Sequence, residues 1–126
     1  MKLIIAGSRT MLERSSFIDN MMDLAIDKNI LITEVVCGMA RGSDMAGKLW
    51  AEENEILVAK FPADWDKHGK AAGHIRNSEM AKYGDALLLI WDGSSRGSAN
   101  MKQNMEKLGK PVYKVIIKVP KVEEEL

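Results

Sequence analysis

The chain has one cysteine, two histidines and no surplus of either charge: eighteen Lys and Arg balance eighteen Asp and Glu over 126 residues. Each scarcity removes a class of protein. Cys37 alone forms no internal disulfide, and beside it His68 and His74 make no zinc-ligand spacing, so neither a structural metal nor a resident cofactor is expected. The even charge denies the molecule the positive field that accompanies general nucleic-acid binding, which makes DNA an unfavoured partner. No apolar run approaches the roughly 18 residues of a membrane span, and the run from Met1 to Gly7 is too short for a secretory signal. A cytoplasmic protein with no membrane partner is expected. Repeats, linkers and low-complexity stretches are absent from the sequence.

What is present is a regular alternation of apolar runs and helical patterns, in a chain of one domain's length. Short runs rich in Val, Ile and Leu predict strands near Lys2–Ala6, Thr33–Cys37, Ile56–Phe61, Ala86–Trp91 and Val112–Lys118. Helices are predicted near Ser15–Lys28, Asp44–Asn54, His74–Tyr83 and Ser98–Leu108, the last stopped by Gly109-Lys110-Pro111. Alternating β and α elements imply a parallel sheet covered by helices, and right-handed crossovers order it 3-2-1-4-5. The fold class is therefore α/β: a single Rossmann-like doubly wound domain over residues 1–120 with a five-stranded, mainly parallel sheet. Residues 121–126 form an acidic tail. Ligands of such sheets bind beyond the carboxyl ends of the strands at the switch point, here between the first and fourth strands.

The loops at that end hold the candidate site. After the first strand, Gly7-Ser8-Arg9 joins a glycine to hydrogen-bond donors, which suits an anion and equally suits a tight turn with a solvated arginine. After the second, Gly38 to Asp44 opens a helix with Arg41 and Gly42 in the turn, an arrangement that favours a negative ligand but recurs in ordinary turns. The connection from Phe61 to Gly73 is long, and Asp64-Trp65 lies within it. Trp65 has two readings, a platform for a base or a cover over the end of the sheet. Arg76 and Asn77 open the next helix, where a guanidinium suits a phosphate and an amide can orient a sugar hydroxyl. Glu79 is a nearby acid that a surface salt bridge explains equally well.

The fullest signal follows the fourth strand. Asp92 and then Gly93-Ser94-Ser95-Arg96-Gly97-Ser98 turn the chain from a buried strand into a helix start, whose free N–H groups and positive dipole end face the crevice. The pattern is neither a Walker A loop nor the dinucleotide Gly-x-Gly-x-x-Gly. With Arg76 and the Gly7 loop at the same switch point, it describes a phosphate cradle.

Taken in order, Gly7-Ser8-Arg9, "GMARGSD" from Gly38 to Asp44, "FPADW" from Phe61 to Trp65, Ala72-Gly73 with Arg76-Asn77 and Met80, and "GSSRGSANM" ending at Met101 resemble the SLOG superfamily, in its small YspA-like branch of bacteria and phages. The resemblance spans nearly the whole chain and implies a Rossmann-like domain for a nucleotide-derived ligand. It also places the chain near the LONELY GUY phosphoribohydrolases and the DprA single-strand DNA proteins. Arg76 looks like the catalytic arginine of the phosphoribohydrolases, but their paired glutamates fall on Asn100 and Met101, neither of which can act as a carboxylate. Asp92 or Glu79 would have to substitute.

The leading expectation is a domain that senses or sequesters a nucleotide-derived, phosphate-bearing molecule. The alternatives are an N-glycosidic hydrolase using Arg76, Glu79 and Asp92, and a DprA-like binder of single-stranded DNA. Homo-oligomerisation is a further expectation, since Met21-Met22 and Met101-Met105 offer adaptable apolar contacts, although core packing accounts for them as well.

Overall fold

A computed structural model of the chain describes residues 1–7, 21–25, 29–38, 43–91 and 93–116. Its strands are β1 (Lys2–Gly7), β2 (Glu34–Cys37), β3 (Leu57–Lys60), β4 (Ala86–Trp91) and β5 (Val112–Ile116). The helices are α1 (Ser43–Glu53), a single turn α2 (Trp65–His68) continued by a 3₁₀ turn (Gly69–Ala71), α3 (Ala72–Tyr83) and α4 (Arg96–Lys107), and residues 21–25 are helical as well. All five strands pair in parallel in the order β3-β2-β1-β4-β5, the order expected from the sequence.

The runs in β1 and β4 are continuous because both faces of the central strands are covered. Leu3, Ile5, Leu88 and Ile90 point to one side, where Met21, Leu24, Ala51 and the ring of Trp50 pack against them. Ile4, Ala6, Leu87 and Leu89 point to the other, against Met80 and Ala81 of α3 and Met101 and Met105 of α4. A period of two along each strand thus feeds two cores. Met21, Met101 and Met105 are spent in these cores at 1% exposure or less, so of the four methionines read as contacts for self-association only Met22 faces outward.

Several boundaries differ from expectation. β3 is shorter than the apolar run Ile56–Phe61 because it is the sheet's edge, and Leu57 at its start is exposed. The long connection before α3 is not irregular: Asp64 accepts a hydrogen bond from the Lys67 backbone N–H at 3.1 Å and winds α2, and α3 then starts at Ala72 rather than His74. α4 starts at Arg96 rather than Ser98, because Ser95 takes the cap. Residues 15–20 and 26–28 of the helix expected over Ser15–Lys28, and residues 117–118 of the last strand, lie outside the described residues.

Candidate functional site

β1 and β4 lie side by side at the switch point, with Gly7 registered against Ile90. A Cβ on Gly7 would stand 1.8 Å from the Ile90 carbonyl oxygen. The glycine is therefore demanded by the close approach of the two strands, whatever else it does, and it brings the β1 and β4 exits to one spot.

From there β4 passes through Gly93, held at φ 89°, a left-handed conformation that glycine adopts without strain, to the cap of α4. The Trp91 indole N–H donates to the Ser95 carbonyl at 3.2 Å and pins the turn to the strand end. The Ser95 hydroxyl accepts from the Ser98 N–H at 3.4 Å, and its carbonyl accepts from the Ala99 N–H at 3.1 Å. The preceding N–H groups, those of Arg96 and Gly97, have no acceptor among the described residues, as the first turn of a helix dictates. Beside them Gly97 faces open space: nothing among the described residues lies within 4 Å of where its Cβ would be. Ser98 is 4% exposed, yet its hydroxyl has no partner among the described residues. Helical side chains lean toward the helix N-terminus, so this hydroxyl is aimed at the same edge of the sheet. Arg96 is exposed and likewise has no side-chain partner among the described residues.

α3 packs against α4 and brings Arg76 to this place. The Arg76 Nη1 donates to the carbonyl of Gly38 at the end of β2, and Nε donates to Asn77 Oδ1 at 3.1 Å. Asn77, 7% exposed, then donates through Nδ2 to the Gly97 carbonyl at 3.3 Å and to Asn100 Oδ1 at 3.1 Å, which Asn104 also reaches at 3.4 Å. One chain of hydrogen bonds thus runs from the exit of β2 to the first turn of α4. Gly38 is part of the design, since a Cβ there would meet the Arg76 side chain at 2.6 Å. Two of the three guanidinium nitrogens are committed; Nη2 has no partner among the described residues.

The structure therefore joins Gly7, Gly38, Arg76, Asn77, Gly93, Ser94, Ser95, Arg96, Gly97 and Ser98 at one end of the sheet, whereas Ser8, Arg9, Arg41, Gly42 and Asp92 lie outside the described residues. Within the protein Asn77 positions Arg76 and Gly97: its Oδ1 accepts from Arg76 Nε and its Nδ2 donates to Gly97 and Asn100. Asp64 is likewise engaged as the cap of α2. Trp65 does not cover the sheet; it is 56% exposed, on a turn that buries none of its residues. Glu79 is exposed on α3 and makes no ion pair with Arg76. Asn100 and Asn104 were not singled out as binding or positioning residues, although two asparagines four apart in a helix that neither favours were a usable signal. At the positions where a hydrolase would carry its acids, Asn100 is bound to Asn77 and Met101 is 1% exposed in the core.

Among the described residues no helix is long and apolar enough to cross a membrane. No solved structure matches the chain significantly. Gene 61 protein of Mycobacterium phage D29 is 33% identical over 117 residues, which cover 88% of this chain and 93% of that one. The sequence model of the YspA, cpYpsA-related SLOG family, YAcAr, matches residues 1–68, from β1 through Gly38 and the β3 exit to Trp65. That match covers more than half of the chain, and the chain belongs to the YspA, cpYpsA-related SLOG family.

Proposed function

We propose that this protein binds, and so senses or sequesters, a phosphate-bearing nucleotide-derived ligand beyond the carboxyl ends of β1 and β4. The observation that carries the reading is the hydrogen-bonded chain from Arg76 through Asn77 to Gly97, which fixes a cation and a helix start relative to each other before any ligand arrives. Fixing donors in advance lowers the entropic cost of binding. The N–H groups of Arg96 and Gly97, the Ser98 hydroxyl and Nη2 of Arg76 are donors, and the helix dipole adds to their attraction for an anion. Membership of the SLOG family supports a nucleotide-related ligand. The hydrolytic reading draws no comparable support from the described residues: Glu79 stands exposed, Asn100 and Met101 are committed elsewhere, and the other candidate acid, Asp92, lies outside them.

The test is a thermal-shift panel of nucleoside phosphates, NAD and ADP-ribose, with the same samples resolved for products by chromatography. A ligand at 100 times its dissociation constant stabilises the folded state by about 2.7 kcal/mol, well within what a melting curve reads. Stabilisation without products is expected. Release of a free base would replace the binding reading with the hydrolytic one, and no shift with any phosphate would remove both.

A further inference from the structure

We propose that the ligand carries an aromatic base and that the base stacks on Trp65, which makes the ligand class a nucleotide rather than a bare sugar phosphate; this rests on the phosphate reading above. The proposal starts from a large aromatic side chain that belongs to neither core cluster. α2 has no buried residue, and more than half of the Trp65 surface is open to water. Its ring is nevertheless in a defined place. From the point where a Cβ of Gly73 would stand, Trp65 Cη2 is 3.6 Å away and Arg76 Nη2 is 3.9 Å away. The edge of the indole and the guanidinium nitrogen that lacks a partner among the described residues thus both border the space that a side chain at position 73 would fill, and glycine leaves it open.

The juxtaposition has a direct chemical reading. An exposed indole face takes any base by stacking, since every base has a π face, and the indole N–H adds at most one donor. The neighbouring guanidinium takes phosphate and does not take a base edge without a partner geometry of its own. An aromatic ring and a cation that both approach Gly73 suit the two chemical parts of a nucleotide, its base and its phosphate. The surroundings fit an anionic, water-facing ligand: Lys67, Lys70 and His74 are exposed around Trp65, while Asp64 on the same segment is turned to the cap of α2 and Asp66 is the remaining acid.

Calorimetric titration of the whole chain with AMP, GMP, CMP, UMP and ribose 5-phosphate tests this, using the native protein, Trp65→Ala and Trp65→Phe. Stacking on an aromatic side chain is worth enough that Trp65→Ala should weaken the best-bound mononucleotide about tenfold, with Trp65→Phe recovering most of the loss and ribose 5-phosphate unaffected by either. Unchanged mononucleotide affinity in Trp65→Ala would overturn the proposal and leave the phosphate reading standing, as would an equal loss for ribose 5-phosphate, which would make Trp65 a support for the loop. Failure of the native protein to bind any of the five probes would overturn this proposal, and failure to bind NAD and ADP-ribose as well would overturn the phosphate reading itself.

Discussion

At the amino end of the sheet polar groups terminate on one another, while at the carboxyl end several donors terminate on nothing among the described residues. The Lys110 ammonium lies within 2.7 to 3.1 Å of the carbonyls of Ala81, Lys82 and Gly84, closing the C-terminus of α3. The Lys2 backbone N–H donates to Asp85 at 2.8 Å, the Lys2 ammonium lies 4.0 Å from the centre of the Tyr83 ring, and the Tyr83 hydroxyl donates to the Glu34 carboxylate. Opposite these, the Arg96 and Gly97 N–H groups, the Ser98 hydroxyl and Arg76 Nη2 have no partner among the described residues, and Gly97 and Trp65 are exposed. A buried polar group without a partner costs free energy, so a fold tolerates such groups where something else will meet them. The difference between the two ends is where the hydrogen bonds among the described residues stop.

The largest expected effect comes from cutting the chain that organises the open end. Asn77→Ala removes the acceptor of Arg76 Nε and the donor to Gly97 and Asn100, and should cost about 1–3 kcal/mol of stability by leaving partly buried groups unpaired. Nucleotide affinity should fall by about tenfold or more, since Arg76 and the α4 start are no longer held together. Chemical denaturation and calorimetry on the same variant read both numbers. Retained affinity would mean that the cation and the helix start act independently.

Gly97→Ala separates binding from stability. Its Cβ meets nothing within 4 Å among the described residues, and its place in the first turn of α4 is helical, so the change should leave stability unaltered or raise it by up to about 1 kcal/mol. The methyl group nevertheless stands beside N–H groups that have no acceptor among the described residues, and phosphate binding should weaken about tenfold, a loss of about 1.4 kcal/mol. Undiminished binding would place the phosphate elsewhere.

These variants also mark what the sequence made legible. The strands of the middle of the sheet were readable because burial on both faces leaves no polar interruption in Ala86–Trp91, and their order followed from the handedness of the crossovers. The α4 start was misplaced because Ser95 and Ser98 both suit a cap and Gly97 resembles loop, whereas the structure takes Ser95 and keeps Gly97 inside the helix. α2 left no periodic signal because it buries nothing. Within the site, residue type pointed to Arg76 and to the glycine turn. The partnership of Asn77 with Asn100 was invisible, since a hydrogen bond between two helices separated by 23 positions imposes no pattern on either.

Lys110→Met tests the closed end by itself. It retains the length and apolar stem of the side chain while deleting the charge that meets three carbonyls at the negative end of α3. Unfolding free energy should drop by about 1–2 kcal/mol, because these bonds are charge-assisted and two of them are partly buried. Nucleotide affinity should stay as it was. A parallel fall in affinity would show that the two ends communicate through α3, and the contrast between them would lose its functional meaning.

The smallest effect is confined to alkaline pH. Tyr83 has its pKa raised above the usual tyrosine value, first because its hydroxyl donates to Glu34, then through partial burial and the repulsion a phenolate would meet from that carboxylate. A folded-state pKa above the unfolded one means that the contribution is fully present below the tyrosine value of about 10 and is lost as pH rises through the folded value. The unfolding free energy of the native protein should therefore decline more steeply above about pH 10 than that of Tyr83→Phe, which keeps the ring against Phe61 and under Lys2 but has no proton to lose. Denaturation midpoints for the two proteins across that range give the difference directly. Because the hydroxyl is at the surface the divergence should be small, and identical slopes would mean that the Glu34 bond contributes nothing to holding the closed end shut.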